Sequence, residues 1–263
     1  MDVKAEYSKS SQKTVAIIPA AGAGVRMQTD RPKQFLDLDG RSVLARTLEG
    51  FQACPVIDSI ILITPEQDVE YARKEIVETY GLTKVEKVVS GGERRQDSVR
   101  LGLEAWDEHD GLVLIHDGVR PLVPADLIVR VIDAAKENRA VITALPAKET
   151  VKEVDENALV VKTYDRQKVW LVQTPQVFRY EDILMAHQRA IQENWEEVTD
   201  DALLMEKVGI PVKVIEGSED NIKVTTPRDM ELARLLIKGR TACAAKATAC
   251  QETARHPAKQ TGG

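Results

Sequence analysis

The stretch that decides the fold is VAIIPAAGAGVRMQTDRPKQF, residues 15–35. Its apolar start has the length and composition of a short, fully buried strand. Two glycines, Gly22 and Gly24, follow soon after, and the basic side chains of Arg26 and Lys33 come after them. Glycine lets the backbone approach a ligand closely, and successive N–H groups in such a turn can bind an anion. The stretch therefore predicts a strand that leads into a phosphate-binding loop.

The apolar run at the start of this stretch is the first of several along the chain. Between these runs lie segments whose apolar residues recur every three or four positions, as in amphipathic helices. Short buried strands that alternate with such helices predict an α/β fold with a doubly wound, mostly parallel sheet. The predicted strands cover residues 15–18, 60–64, 85–89, 112–115 and 141–145, and the predicted helices cover 43–53, 69–80, 98–104 and 126–136.

Three loops point to one site. Gly22, Ser90 and Asp117 each lie just past the end of a predicted strand. Ligands of doubly wound sheets bind at the carboxyl ends of the strands, so we expect these loops to meet there.

The glycine loop has three interpretations. It lacks the Lys-Ser/Thr ending of a Walker A loop, and Met27 occupies the third glycine position of a dinucleotide fingerprint. On the glycines alone, a plain strand-to-helix turn stays open. Arg26 and Lys33 favour a ligand, because N–H groups, a guanidinium and an ammonium together suit a polyphosphate.

A different pattern begins near Lys148. The segments ETVKEV and LVVKTYDR alternate apolar and polar residues around the turn-like DEN at 155–157, which predicts a β-hairpin. We expect this arm, about 147–170, to protrude and to pack on a second subunit, since an isolated hairpin is marginal in water. A helix over 180–194, a short helix over 200–208, a strand in PVKVIEG and a last helix then complete the fold.

Length and composition are those of an ordinary globular protein. The chain has 263 residues, 43% of them hydrophobic and 30% charged, and its net charge of −6 argues against nucleic-acid binding. No apolar stretch approaches the roughly 20 residues of a transmembrane helix, and the N-terminus lacks a signal peptide's apolar region, so we expect a cytoplasmic protein without membrane contact. Three cysteines fit a reducing compartment. We expect one domain over 14–238, between disordered segments 1–13 and 239–263.

Further motifs follow the glycine loop and carry a family resemblance. They are SGGERRQDSV (90–99), IHDGVRP (115–121), YDR (164–166), QTPQ (173–176), TDDA (199–202) and EGSEDNIKVTTP (216–227). With PAAGAGVRM and RPKQF they resemble the 2-C-methyl-D-erythritol 4-phosphate cytidylyltransferases, a family of polyol-phosphate cytidylyltransferases, over about residues 15–237. The resemblance implies a Rossmann-like nucleotidyltransferase fold and a homodimer in which the arm completes the neighbouring site.

The implied reaction transfers CMP from CTP to 2-C-methyl-D-erythritol 4-phosphate and releases pyrophosphate, in non-mevalonate isoprenoid precursor synthesis. The nucleophile would be an oxygen of the substrate's own phosphate, so no side chain has to remove a proton. That fits a chain with four histidines and no evident nucleophile–base pair, and we expect His116 to be packed or hydrogen-bonded rather than catalytic. Catalysis would be positioning and electrostatic stabilisation. Mg²⁺ is expected, held mainly by the CTP phosphates and water without an all-protein site.

The resemblance also assigns residues, each by its match to a family motif. Four cations would be catalytic: Arg26, Lys33, Arg166 and Lys223. The residues that would bind the nucleotide are Pro19, Ala20, Ala21, Gly22, Ala23, Gly24, Ser90, Gly91, Gly92, Ser98, Asp117 and Gly118. Those that would bind the polyol phosphate are Asp117, Arg120, Thr150, Arg166, Thr199 and Lys223, with Thr150 and Arg166 reaching the neighbouring subunit's site.

Several of these residues also have structural interpretations. Asp117 would serve in an Asx-turn, Arg120 would hold its own loop, and Thr199 would be a helix N-cap. We expect Arg94 and Arg95 to be solvated or structural.

Other functions stay open on the sequence alone. A ribitol-5-phosphate cytidylyltransferase shares the fold, the nucleotide and the reaction, although PAAG favours methylerythritol phosphate. A catalytically silent nucleotide-binding regulatory protein would use the same loops, but the presence of all four candidate catalytic cations argues against it. An NAD-dependent dehydrogenase fails on the fingerprint spacing.

Overall fold

The computed structural model describes residues 12–22, 32–196 and 198–240, so most of both predicted disordered segments lies outside the described residues. Its strands are β1 (Thr14–Pro19), β2 (Ser59–Thr64), β3 (Val85–Ser90), β4 (Leu112–Ile115), β5 (Ala140–Pro146), β6 (Lys152–Val154), β7 (Val160–Thr163), β8 (Trp170–Arg179) and β9 (Lys213–Glu216). One sheet has seven strands in the order β3-β2-β1-β4-β8-β5-β9, and β6 and β7 form a separate two-stranded sheet.

The large sheet is mostly parallel, as predicted. β1 lies between β2 and β4 and runs parallel to both, and β3 continues the parallel set beyond β2. The exception is β8, which lies between β4 and β5 and runs antiparallel to each. Its register pairs Trp170 with Pro146, so β8 starts where β5 ends and the arm between them turns the chain back. The apolar pattern alone did not predict this reversal.

The helices predicted from apolar spacing are all present. They are α1 (Val43–Gln52), α2 (Val69–Tyr71, continued as π-helical turns over Ala72–Glu78), α3 (Arg95–Glu104), α4 (Ala125–Glu137), α5 (Tyr180–Gln192), α6 (Asp201–Lys207) and α7 (227–240). α3 begins at Arg95, before the predicted Ser98, and α7 continues through Gly239 and Arg240, past the predicted end of the domain. Within the described residues, no helix is long and apolar enough to span a bilayer.

The strands are apolar because helices cover both faces of the sheet. Val15 and Ile17 belong to the core cluster that contains side chains of α3 and α5. Ala16 and Ile18 alternate with them and belong to the cluster that contains side chains of α1 and α4. A strand buried on both faces has no position that favours a polar residue, which accounts for the continuous run. Cys54 is buried in this core.

β6 and β7 form the predicted hairpin. The Asp155 carboxylate accepts hydrogen bonds from the N–H groups of Asn157 at 3.0 Å and Leu159 at 2.9 Å, which fixes the turn. Every residue of both strands is exposed, so the arm protrudes from the main sheet.

Candidate active site

The ends of β1 and β4 lie side by side at one edge of the sheet. The Gly118 N–H donates to the Pro19 carbonyl at 3.1 Å and joins the two strand ends. A Cβ on Gly118 would lie 2.9 Å from the Cβ of Ala20, so a side chain at 118 would push the two ends apart. The predicted meeting of these two loops is therefore confirmed.

The loop after β3 closes against the same edge. A Cβ on Gly91 would lie 2.5 Å from the Cβ of Ala21, which shows how closely the two loops pack. Ser98 is buried in the first turn of α3, and its hydroxyl accepts a hydrogen bond from the Gly92 N–H at 3.1 Å. Gly92 lines a cavity at the carboxyl ends of these strands, whereas Gly91 and the exposed Ser90 do not.

Lys33 lies on a short 3₁₀ turn that is anchored at two points. The Gln34 side chain, which is 1% exposed, donates from Nε2 to the Ala20 carbonyl at 2.8 Å. The ring of Phe35 packs edge-on against Tyr71 on α2, with the ring centroids 5.1 Å apart. These contacts hold the turn against the end of β1, and Lys33 lines the cavity there.

Two cavities adjoin at this edge. The lining of the first is Pro19, Ala20, Ala21, Gly22, Lys33, Gln34, Gly92, Glu93, Arg94, Arg95, Ser98, Asp117, Val119 and Lys223. The second has a volume of about 380 Å³, and its polar lining is Arg95, Asp117, Arg120, Gln173, Thr174, Gln176, Thr199, Asp200, Glu206 and Lys223. Because Arg95, Asp117 and Lys223 line both cavities, we call these three side chains the shared wall.

Asp117 is the centre of the shared wall. Its Oδ2 lies 3.1 Å from Arg120 Nε and 3.0 Å from Lys223 Nζ, and its Oδ1 lies 3.4 Å from Arg95 Nε. Burial acts to raise the pKa of the Asp117 carboxyl, but Arg95, Lys223 and Arg120 outweigh it and hold the pKa well below its usual range. The carboxylate is therefore ionised and fixed by ion pairs, rather than serving mainly in an Asx-turn.

Arg120 and Thr199 had both structural and ligand-binding interpretations. Arg120 is buried, and its Nη1 donates to the Asn221 carbonyl at 2.9 Å, so it does hold its loop while also lining the second cavity. Thr199 is exposed on the second cavity and is not the N-cap of α6. Asp200 caps that helix instead, because its carboxylate accepts from the Leu203 N–H at 3.1 Å.

Arg95 and Asp201 belong to the site, although sequence reasoning missed this. Arg95 Nη1 donates to Asp201 Oδ2 at 2.7 Å, and Asp201 is fully buried. Burial acts to lower the pKa of Arg95, yet Asp201 and Asp117 outweigh it and raise the pKa. The second aspartate of TDDA was the available signal, but nothing in the sequence showed that its side chain points inward.

His116 is packed and hydrogen-bonded, as predicted. It is fully buried, its Nε2 donates to the Arg120 carbonyl at 3.2 Å, and its Nδ1 accepts from the Thr174 hydroxyl at 3.1 Å. Burial lowers the pKa of His116 to about 4, so the ring is neutral near pH 7.

Two predicted residues that the structure describes, Thr150 and Arg166, are not brought to these cavities. Thr150 and Arg166 are exposed on the arm, and Arg166 Nη1 donates to the Lys148 carbonyl at 3.1 Å. Neither arm residue lines either cavity of the described chain. The other loop candidates, Ala23, Gly24 and Arg26, lie outside the described residues.

The first cavity offers few ligands for a metal ion. Its acidic side chains are Glu93 and Asp117, and Asp117 already has three cationic neighbours. In the part of the chain that the structure describes, no cluster of three or more His, Cys, Asp or Glu side chains could hold a metal ion.

Comparisons with known proteins agree on one family. A family model described as 2-C-methyl-D-erythritol 4-phosphate cytidylyltransferase matches residues 14–239. A protein of that name from Syntrophus aciditrophicus (strain SB) is 48% identical over 226 residues, which are 86% of this chain and 96% of the relative. Another, from Geotalea uraniireducens (strain Rf4), is 46% identical over 228 residues, 86% of this chain and 97% of the relative.

Solved structures are similar over the same region. The 4-diphosphocytidyl-2C-methyl-D-erythritol synthase of Anaerococcus prevotii DSM 20548 aligns with a TM-score of 0.76 at 36% identity, covering 86% of this chain and 96% of that chain. The 2-C-methyl-D-erythritol 4-phosphate cytidylyltransferase of Francisella tularensis aligns with a TM-score of 0.72 at 36% identity, covering 85% of this chain and 99% of that chain.

Proposed function

We infer the function of this chain from the family to which it belongs, the 2-C-methyl-D-erythritol 4-phosphate cytidylyltransferases. The enzyme transfers CMP from CTP to 2-C-methyl-D-erythritol 4-phosphate, giving 4-diphosphocytidyl-2-C-methyl-D-erythritol and pyrophosphate, a step of non-mevalonate isoprenoid precursor synthesis. Since CTP is a cytoplasmic metabolite, the proposed site of the reaction is the cytoplasm.

The observation that supports this function best is the pair of adjoining cavities with one cationic wall. CTP and a polyol phosphate are both anions, so they repel one another at reacting distance, by about 4 kcal/mol per pair of unit charges at 4 Å near a protein surface. Lys33 lines the first cavity, and Arg95 and Lys223 line both cavities. We assign CTP to the first cavity and the polyol phosphate to the second, with their phosphates meeting at the shared wall.

The reaction is a direct displacement at the α-phosphorus of CTP. A phosphate oxygen of the polyol phosphate forms the new P–O bond, the bond from the α-phosphorus to the bridging oxygen breaks, and pyrophosphate leaves with that electron pair. The attacking oxygen is already anionic, so the step needs no protein base. The buried and fully hydrogen-bonded His116 is in accord with this, since neither ring nitrogen is directed to a substrate.

The proposed roles of the protein groups are electrostatic and positional. Lys33 and Arg26 would stabilise charge that develops on the α-phosphate and the departing pyrophosphate. Lys223 would hold the polyol phosphate in line with the α-phosphorus. The backbone of residues 22–24 would contact the triphosphate, where glycine permits a close approach. Ala20 and Ala21 would border the cytosine and ribose, and Gly92 and Ser98 would border the base.

Mg²⁺ is the proposed cofactor, held mainly by the CTP phosphates and water. The donor set fits this mode, because the acidic groups Glu93 and Asp117 on the first cavity can meet a hydrated ion but do not form a cage. The ion would neutralise charge on the triphosphate when bound. The positioning described above belongs to side chains and backbone groups of the protein itself.

The arm supports a proposed homodimer. It exposes Leu159 (65%), Val160 (59%) and Val161 (63%), large apolar side chains that a second subunit would cover. Because Thr150 and Arg166 lie on this arm and away from the cavities of their own chain, we propose that they complete the second cavity of the other subunit.

A substrate panel tests the proposed function. Pyrophosphate release is measured with CTP, ATP, GTP and UTP, each against 2-C-methyl-D-erythritol 4-phosphate and ribitol 5-phosphate. The expected result is turnover for CTP with the methylerythritol phosphate far above every other pair. Preference for ribitol 5-phosphate would overturn the assigned substrate, and binding of CTP without turnover in any pair would indicate a regulatory protein.

A further inference from the structure

A chain of hydrogen-bonded polar side chains runs from α5 to the shared wall. His187 Nε2 lies 3.2 Å from Asp201 Oδ1, and Asp201 Oδ2 accepts from Arg95 Nη1 at 2.7 Å. Arg95 Nε then lies 3.4 Å from Asp117 Oδ1. The Arg95 guanidinium therefore bridges two carboxylates. Asp117 belongs to the shared wall, and Asp201 lines neither cavity.

Asp201 keeps Arg95 in one place. The Asp201 side chain is fully buried, and burial acts to raise its pKa, yet Arg95 and His187 outweigh burial and lower the pKa. A buried carboxylate that is ionised requires its partner, so Arg95 has little freedom to turn away. The planar guanidinium suits this role, because separate N–H groups can point to separate acceptors.

Arg95 and Lys223 share the Asp117 carboxylate. Lys223 contacts Oδ2 at 3.0 Å, and Arg95 lies on the side of Oδ1. With Arg95 in place, the carboxylate divides its charge between cations on two sides. Without Arg95, Oδ1 would lack its cation and the carboxylate would pair more strongly with Lys223, whose side chain is 41% exposed and faces the cavities.

We propose that Arg95 is a positioning residue for the transfer reaction, held by Asp201 and acting through Asp117 to keep the Lys223 ammonium available to the phosphate of the polyol substrate. This rests on the proposed function. The prediction concerns the second substrate, because Lys223 is assigned to the polyol phosphate. It distinguishes Arg95 from its neighbour Arg94, which pairs with Asp97 and lines the first cavity but not the second.

The test uses Arg95→Lys and Asp201→Asn, which keep the size of the side chains while removing the bridge. Arg95→Lys retains the charge but cannot reach both carboxylates, and Asp201→Asn releases the hold on Arg95. Each should raise KM for 2-C-methyl-D-erythritol 4-phosphate at least about fivefold, with KM for CTP changed less than about twofold. The matched control is Arg100→Lys, since Arg100 lies on the same helix and pairs with Glu104 at 2.7 Å. It should leave both KM values unchanged.

A double-mutant cycle separates positioning from a direct role. If Arg95 acts through Lys223, then Arg95→Lys should have no further effect on kcat/KM for the polyol phosphate in a Lys223→Gln background. An effect of the same size in both backgrounds would overturn the proposal, because it would mean that Arg95 acts on the substrate by itself. If KM rose equally for both substrates in both single variants, that result would overturn the proposal as well.

Folding and function are checked separately. Thermal unfolding of each variant shows whether the loss of the buried bridge has unfolded the protein, and Asp201→Asn gives a second route to the same outcome if Arg95→Lys does not fold. If the wild type does not turn over CTP with the methylerythritol phosphate, the proposed function fails. If the wild type is active but the cycle is additive, only the assignment of Arg95 fails.

Discussion

The substitution Gly91→Ala should disrupt the site because the added methyl group would collide with neighbouring atoms. The new Cβ would lie 2.5 Å from the Ala21 Cβ and 2.9 Å from the Ser98 hydroxyl. Carbon atoms in contact normally stay about 3.5–4.0 Å apart, so the loops must separate by about 1 Å. The Cβ of Ala21 cannot rotate away, and the Ser98 hydroxyl is held by the Gly92 N–H, so the backbone itself has to move.

The magnitude follows from that displacement. Overpacking of this kind costs about 1–3 kcal/mol in free energy of unfolding. At about 2–4 °C per kcal/mol for a chain of this size, Tm should fall by about 2–12 °C. A shift of about 1 Å between these two loops, which are assigned to CTP, should also lower kcat/KM for CTP by about a hundredfold.

Gly50→Ala is the matched control for Gly91→Ala. A Cβ on Gly50 would lie 3.7 Å from Val123 Cγ1, which is an ordinary contact, and Gly50 lies within α1. Alanine is favoured over glycine in a helix by about 0.5–1 kcal/mol, so Tm should rise by about 1–4 °C with kcat/KM unchanged. Tm is measured by differential scanning calorimetry and kcat/KM by pyrophosphate release. Wild-type values of Tm and kcat/KM for Gly91→Ala would refute the close packing of these loops.

Three further predictions concern the catalytic cation, the arm and the buried histidine. Lys33→Ala should lower kcat by about 10²–10³-fold with little change in KM for CTP, whereas the exposed Lys136→Ala should change neither; equal losses in kcat and affinity would contradict a transition-state role. Mixed Arg166→Ala and Lys33→Ala subunits should recover about a quarter of wild-type activity, because half of the dimers then contain one intact site; no recovery would show that the arm does not act across subunits. Burial lowers the pKa of His116 from 6.5 to about 4, so the unfolded chain binds this proton more readily and stability falls as the pH drops from about 6.5 to 4. His116→Gln should lose less stability over that range in urea titrations, and an identical pH dependence in both proteins would mean that His116 is not the group responsible.

The sequence predicted the parts of the fold that depend on local patterns. The apolar runs of β1, β2 and β4 are continuous because both faces of the sheet are buried, and that pattern is visible in the chain itself. The hairpin was visible for the same reason, since its polar alternation and its turn at Asp155 are local. The loops after β1 and β4 could be placed together because strand ends in such sheets meet at one edge.

What the sequence could not show are contacts between distant segments. The direction of β8 depends on the arm that precedes it, and no pattern within Trp170–Arg179 encodes that reversal. Asp200 and Asp201 are adjacent and chemically identical, yet one caps α6 and the other is buried against Arg95. Only the packing of α6 against α5, together with the ion pair from Arg95 on α3, distinguishes them. The N-cap interpretation of Thr199 was wrong because the helix begins one residue later than a Thr cap requires.

In the proposed reaction the two anionic substrates react directly with one another at the shared wall. The most direct measurement is exchange of radiolabelled pyrophosphate into CTP. We expect no exchange with CTP alone, and exchange once 2-C-methyl-D-erythritol 4-phosphate is added, since the bond to pyrophosphate breaks only when the second substrate attacks. Exchange with CTP alone would show a covalent cytidylyl-enzyme and would contradict direct transfer between the substrates.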